Sequence, residues 1–330
     1  MEHNHDKDHF TFNGKQAQQM IKKAKLRSTL RTIGIIIVVT PVILAAMWYG
    51  LYHLRLSQGD KVQSEILWRN EIGAPNVHIS NQSVKLDAFG GEVYNQTYKW
   101  LGNKPYVWET LEEFYNLSGR STGRYGAHGA IPLPEQLSAA STYRYNSATG
   151  DREMFFYHPQ IQYTSYEDSI SQLKLLEDNM LVELALSFDR AYKLEEMQTL
   201  LPAGIQPVWY WTDAYTNSYK DYLKETGQTI AADSQIIYGF HGMQFAPYGG
   251  VDAFINSVEQ LRAGGKNYKW AAEQIQESLA GDNNILEPAD ITIIGVVVTG
   301  TAKQLETLQN QPYIKASTFG VVSKSPDIPS

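Results

Sequence analysis

The stretch IGIIIVVTPVILAAMWYGL, residues 33–51, decides how the rest of the chain is read. It holds no charged residue, and as a helix rising about 1.5 Å per residue it spans roughly 28 Å, close to the hydrocarbon thickness of a bilayer. Pro41 removes one backbone hydrogen bond, which a spanning helix tolerates. Trp48, Tyr49 and Tyr52 gather at its far end, where amphipathic rings prefer the membrane interface. A secretory signal peptide fits poorly: its apolar region runs to about 7–15 residues and ends in a small-x-small cleavage site, whereas Ala45-Ala46 here leads into Met47-Trp48-Tyr49. A buried core helix would leave the aromatic collar unexplained. The reading is a transmembrane helix over residues 32–52.

Charge sets the expected orientation. The chain has 330 residues and a net charge of −7, but residues 1–31 carry seven Lys and Arg against three acids, so the remainder is strongly acidic. Lys22, Lys23, Lys25, Arg27 and Arg31 lie just ahead of the span, and the positive-inside rule places that side in the cytoplasm. The expected organisation is a basic cytoplasmic leader over 1–31, the span over 32–52, a polar juxtamembrane linker over 53–75, and an extracellular domain over 76–330 with a break between sub-lobes near 119–165. With 43% apolar residues the chain is not disordered. The absence of Cys removes disulfides, thiolate zinc sites and Cys nucleophiles, and the acidic balance argues against direct nucleic-acid binding.

The leader is too short to bury a core, but its second half has helical periodicity. Ala17, Met20, Ile21 and Ala24, followed by Ser28, share one stripe, with the basic residues off it. Such a face can lie on anionic lipid or dock on a partner, or the segment can simply extend the span. His3, His5 and His9 could share a metal, although a polar terminus of this kind ordinarily holds none.

Beyond the span, residues 77–80 and 83–86 alternate as two short strands about a turn at Asn81-Gln82, and WETLEEFY, residues 108–115, has the spacing of a short amphipathic helix. Residues 119–134 are a Gly- and Pro-rich loop. One unit then occurs twice. LVELALSF (181–188) leads through Asp189-Arg190-Ala191-Tyr192 to a helix carrying Leu194, Met197 and Leu201 and a strand at 208–211. ITIIGVVV (291–298) leads through Thr299-Gly300-Thr301 to a helix with Leu305 and Leu308 and a strand at 314–322. Between them the stripe Val251, Phe254, Ile255, Val258 and Leu261 marks a helix closed by Gly264-Gly265, and a second helix spans 268–280. The expected fold is an α+β ectodomain with a mixed sheet and two βαβ-like units, preceded by a short cytoplasmic helix and one transmembrane helix.

Chemistry is sparse. There is no nucleophile elbow, no HExxH and no phosphate-cradling Gly loop, so no catalytic or metal residue is expected, no cofactor is implied, and the chain does not read as an enzyme. Trp209-Tyr210-Trp211 could line a groove, but strand alternation sends the two Trp to one face, which favours core. Asp189-Arg190 reads as a structural ion pair, and His128, His158 and His241 are scattered. The sequons at Asn81, Asn95 and Asn116 are common by chance and carry no weight in a bacterial host. No ectodomain ligand surface can be picked out.

The order of several short segments carries a resemblance. KKAKLRS (22–28), the single span, APNV (74–77), LSFDRAY (186–192), PVWYW (207–211), FIN (254–256) and VVTG (297–300) resemble the sigma factor regulator family from about Phe12 onward. These are membrane-anchored anti-sigma factors of Gram-positive bacteria with N-terminal and C-terminal regulator regions. The resemblance implies a chain that sequesters an extracytoplasmic-function (ECF) sigma factor at the membrane, its C-terminal part outside the cell, and releases it on an envelope signal. It leaves room for a second small membrane protein at the sigma-binding side, because better-known members place a longer region ahead of the span. An anchored extracellular binding or envelope-maintenance protein with no sigma partner is the alternative.

Overall fold

A computed structural model describes residues 14–125, 145–205, 207–226, 232–233, 236–243, 249–281 and 284–324. His3, His5, His9, Phe12, His128 and most of the 119–134 loop fall outside them. The chain divides into two compact units, residues 1–54 and 55–330.

The first unit holds most of helix α1 (Gly14–Glu71), which at about 1.5 Å per residue is roughly 87 Å long. Its apolar stretch is largely exposed: Ile37 and Val38 are 65% and 64% exposed. Side chains this apolar need a hydrocarbon surround. Among the described residues this is the one helix long and apolar enough to cross a membrane.

The segment read as a linker is helical as far as Glu71. Arg55, Gln58, Val62, Glu65 with its neighbour Ile66, and Asn70 lie at helical spacing on one face and are all buried. Most of that stripe is polar, so apolar periodicity alone does not reveal it. Three of its four polar members make defined hydrogen bonds. Arg55 Nη1 donates to the Asp87 carbonyl, Asn70 Nδ2 donates to the Val77 carbonyl at 2.8 Å, and Glu65 Oε2 accepts from the backbone N–H groups of Lys266 and Asn267 at 3.0 and 2.8 Å.

Four strands follow as an antiparallel meander: β1 (His78–Asp87), β2 (Gly90–Leu101), β3 (Lys104–Asn116) and β4 (Ser121–Tyr125). Two expectations are corrected here. Residues 77–86 are not a hairpin, because β1 runs through Asn81-Gln82 with a register shift between Ile79 and Asn81 that absorbs the extra residue. Residues 108–115 are strand rather than helix, because β3 pairs with β2 along almost its whole length and that ladder overrides a marginal helical stripe.

The larger sheet contains β6 (Leu181–Lys193), β7 (Pro207–Thr212), β9 (Gly239–His241), β10 (Thr292–Thr301) and β11 (Ile314–Ser323). A separate two-stranded ribbon joins β5 (Phe155–Phe156) to β8 (Ala232–Asp233). The helices are α2 (Leu194–Leu200), α3 (Asn217–Thr226), α4 (Val251–Gly264), α5 (Lys269–Leu279) and α6 (Ala302–Leu305). The strand order is β11-β6-β10-β7-β9. The units β6-α2-β7 and β10-α6-β11 therefore interleave, each having a strand of the other between its own two. The four strands adopt the split-βαβ order of ferredoxin-like folds. The fold is α+β with the two doubled units in place. Its sheet is antiparallel in every ladder rather than mixed, since parallel directions occur only between strands that are not neighbours.

Both faces of this sheet are covered. Leu184, Leu186, Phe188, Val296 and Val298 pack with α4 and α5 through Phe254, Val258, Leu261 and Ile275. On the opposite face Ala185, Trp209, Trp211 and Val297 pack with Phe156, Ile161 and Tyr163. Trp209 and Trp211 are fully buried together, while Tyr210 on the other face stacks on Phe240 at 5.0 Å. The Trp pair is therefore core, as alternation requires. Thr301 caps α6, its Oγ1 accepting from the Gln304 N–H at 3.1 Å. Thr301→Ala is expected to lower stability by about 1 kcal/mol, read as a drop in Tm with no change in secondary structure.

Candidate functional site

Ala17, Met20, Ile21 and Ala24 fall on one face of α1, and the two larger side chains stand free, Met20 64% and Ile21 57% exposed. Lys22, Lys23, Lys25, Arg27 and Arg31 are exposed on the same helix. Trp48, Tyr49 and Tyr52 are also outward, Tyr49 packing edge-on against His53 at 4.3 Å. Ala24 is exposed as well, and Ala17 is half-buried.

In the second unit the most concentrated chemistry sits where the end of α1 meets the meander. Every second residue of β2 points inward, giving a buried row of Val93, Asn95, Thr97, Lys99 and Leu101. Lys99 is 2% exposed and its Nζ lies 2.9 Å from Glu183 Oε2 on β6, in the larger sheet. The same carboxylate accepts from Asn76 Nδ2 at 2.8 Å and from the Val321 N–H at 3.1 Å, and the Lys99 ammonium lies 4.0 Å from the centre of the Trp108 ring. A charge this deep is tolerated when it is paired and hydrogen-bonded, as Lys99 and Glu183 are.

Beside this pair is a cavity of about 180 Å³. Its walls come from the end of α1 (Ile66, Arg69, Asn70), from β2 and β3 (Asn95, Trp108, Glu113 among others), and from Arg124 and Tyr268. Glu113 accepts from Tyr268 Oη at 2.5 Å and pairs with Arg124 Nε at 3.3 Å. Burial, then the Glu113 charge, pushes the Tyr268 hydroxyl up, so it stays a donor. Burial likewise lowers the Arg69 guanidinium. Asn146 Nδ2 bridges two further carboxylates, Glu109 at 3.0 Å and Glu153 at 3.2 Å.

The other polar candidates are structural. Asp189 and Arg190 part company: Asp189 accepts from Tyr192 Oη at 2.7 Å and Arg190 pairs with Glu196 at 3.0 Å. His158 is buried against Asp213 at 3.0 Å, and Asp213 also pairs with Lys220 at 2.9 Å. His241 is buried against His78. Asn95, one of the three sequons, is wholly inaccessible. No group of three or more potential metal ligands occurs among the described residues.

Residues 18–106, which run along α1 through β2 into β3, match the family model Sigma factor regulator N-terminal. Residues 173–321, which contain all of the interleaved sheet but the last two residues of β11, match Sigma factor regulator C-terminal. The chain belongs to the sigma factor regulator family. No curated protein and no solved structure matches it. Sigma factor regulators are regulatory rather than enzymatic proteins, with a sigma factor as partner. In this regulator the N-terminal region unites α1 with the β2 row that carries Asn95 and Lys99. The cavity residues escaped sequence reading because its walls are polar at positions where buried apolar residues are sought; the available signal was charged and amide residues recurring with period two along β2.

Proposed function

We propose that this sigma factor regulator is a single-pass anti-sigma factor. Its N-terminal helix lies in the cytoplasm and holds an ECF sigma factor at the membrane of a Gram-positive cell, and its C-terminal unit lies outside and receives an envelope signal. The observation that carries the proposal is α1: one uninterrupted helix bears an open Met20-Ile21 face, a basic collar, a lipid-length apolar stretch and a polar-striped end buried in the second unit's core. The orientation rests on the Lys and Arg ahead of the span. A helix face of four small or apolar residues is a narrow docking surface, and affinity from so small an area is modest. The proposal therefore includes a second small membrane protein sharing the contact.

The test is a paired substitution, Met20→Asp with Ile21→Asp, in the full chain in cells. Sigma-dependent transcription is expected to rise about tenfold or more, as loss of two docking side chains would give, with the sigma factor no longer co-purifying. Unchanged transcription together with no sigma factor on the wild-type chain removes the anti-sigma reading. Retention of the sigma factor by the purified chain alone removes the second membrane protein. Protease added to intact cells should digest the C-terminal unit, and its protection would reverse the orientation.

A further inference from the structure

We infer that the cavity at the end of α1 is a binding site for one small, neutral, polyhydroxylated ring, a single sugar or cyclic polyol. Three buried side chains lining it each leave one polar atom without a hydrogen-bond partner: Asn70 Oδ1, Asn95 Nδ2 and Glu113 Oε1. These residues are 7%, 0% and 4% exposed, so bulk solvent does not meet the demand. Buried polar atoms are almost always paired, and three unpaired ones around one space call for a polar occupant.

Size and charge narrow the class. A cavity of about 150 Å³ with apolar walls accepts a benzene ring, so the 180 Å³ here suits one six-membered ring rather than an extended chain. The open atoms are two acceptors and one donor. A hydroxyl supplies both functions, so a ring carrying several can answer all three. Ile66, Val77, Leu111 and Trp108 give apolar wall against which the C–H edges of such a ring can rest. An anion is disfavoured: Glu109, Glu112, Glu113 and Glu153 line the space, while of its three cations Lys99 is already committed to Glu183, Arg124 to Glu113 and Arg69 to the face of Tyr238. Ile66, Arg69 and Asn70 belong to α1, so an occupant touches the helix that carries the N-terminal face.

The site stands apart from the sigma-factor reading, because binding is measured on the purified full chain with no sigma factor present. Ligand-observed saturation-transfer NMR in detergent uses glucose, N-acetylglucosamine and myo-inositol as probes and inorganic phosphate as the anionic control. At least one neutral ring is expected to bind saturably in the millimolar range or tighter. Glu113→Gln and Asn95→Leu are expected to weaken it at least tenfold, and Leu111→Trp, which fills the space without deleting a polar partner, to abolish it. Three results overturn the inference: no probe binds, which leaves a water-filled cavity; phosphate binds more tightly than any neutral ring; or binding survives Leu111→Trp in a folded chain, which places it elsewhere.

Discussion

Lys99→Met is expected to destabilise the second unit by about 3–5 kcal/mol, the range for removing one member of a buried ion pair. The cost arises from what stays behind. Glu183 is 0% exposed and would keep its carboxylate in a site where Asn76 Nδ2 and the Val321 N–H still donate but no cation remains. The surrounding backbone leaves little room for relaxation: a Cβ built on Gly320 would stand 2.2 Å from Glu183 Oε2, so β11 lies directly against the carboxylate. Glu183→Leu alone strands the Lys99 ammonium, although the Trp108 ring 4.0 Å away offers it partial compensation. The double variant Lys99→Met, Glu183→Leu removes both charges and is expected to recover part of the loss, short of full recovery because the Val321 N–H then lacks its acceptor. Denaturant unfolding of the full chain in detergent, followed by Trp fluorescence, measures all three. A single-variant loss below about 1 kcal/mol would place the pair among solvent-screened surface bridges, against its burial.

The pair also explains why the fold was only partly legible. The interleaved C-terminal sheet was readable because its strands, such as ITIIGVVV, are apolar on both faces and its helices end at Pro or Gly. The meander was not. Its inward row on β2 is Val93, Asn95, Thr97, Lys99, Leu101, in which three of five residues are polar, so period-two burial leaves no period-two hydropathy. The same reason hid the end of α1. Arg55, Gln58, Glu65 and Asn70 are buried at helical spacing but read as a solvated linker, because the partners that justify their burial, such as the backbone at Lys266 and Asn267, lie 200 residues away.

The candidate sites divide along the same line. The face of Ala17, Met20, Ile21 and Ala24 follows from local periodicity alone, and the helix that carries it extends over every one of those positions. The cavity depends on segments far apart in the sequence meeting, and beyond the alternating polar row of β2 no local pattern announces it. Glu113 illustrates this: within WETLEEFY it looks like the polar side of a helix, yet on β3 it is 4% exposed and faces Arg124 on the paired strand β4 and Tyr268 from 155 residues away.

Acidification is expected to destabilise the second unit through two histidines. His78 and His241 are buried with ring centres 4.5 Å apart, and Tyr98 stacks on His78 at 5.3 Å. Burial lowers His78 to about 4, and burial followed by the neighbouring His78 holds His241 well below its usual value. Both are neutral in the fold, whereas an unfolded chain protonates them below about pH 6.5. The unfolded state thus binds more protons between 6.5 and 4, and stability present above 6.5 is lost as pH falls through that window. The His78 shift alone corresponds to about 3 kcal/mol. Glu71 acts in the opposite sense: burial raises it to about 7, so it contributes stability at low pH that is lost as pH rises from 4.5 towards 7. It is only partly covered, and solvent reduces its share. With His78 and Glu71 offsetting each other between about 4.5 and 6.5, His241 sets the net slope there, and below 4.5 the histidines act unopposed. Glu71→Gln is therefore expected to steepen the loss between about pH 6.5 and 4.5. The double variant His78→Phe, His241→Leu is expected to reverse the sign, becoming more stable as pH falls from 7 to 4.5. Unfolding midpoints of the full chain in detergent across pH 4–8 provide the measurement, and a wild-type profile that is flat or rises on acidification would show that the histidine pair does not govern it.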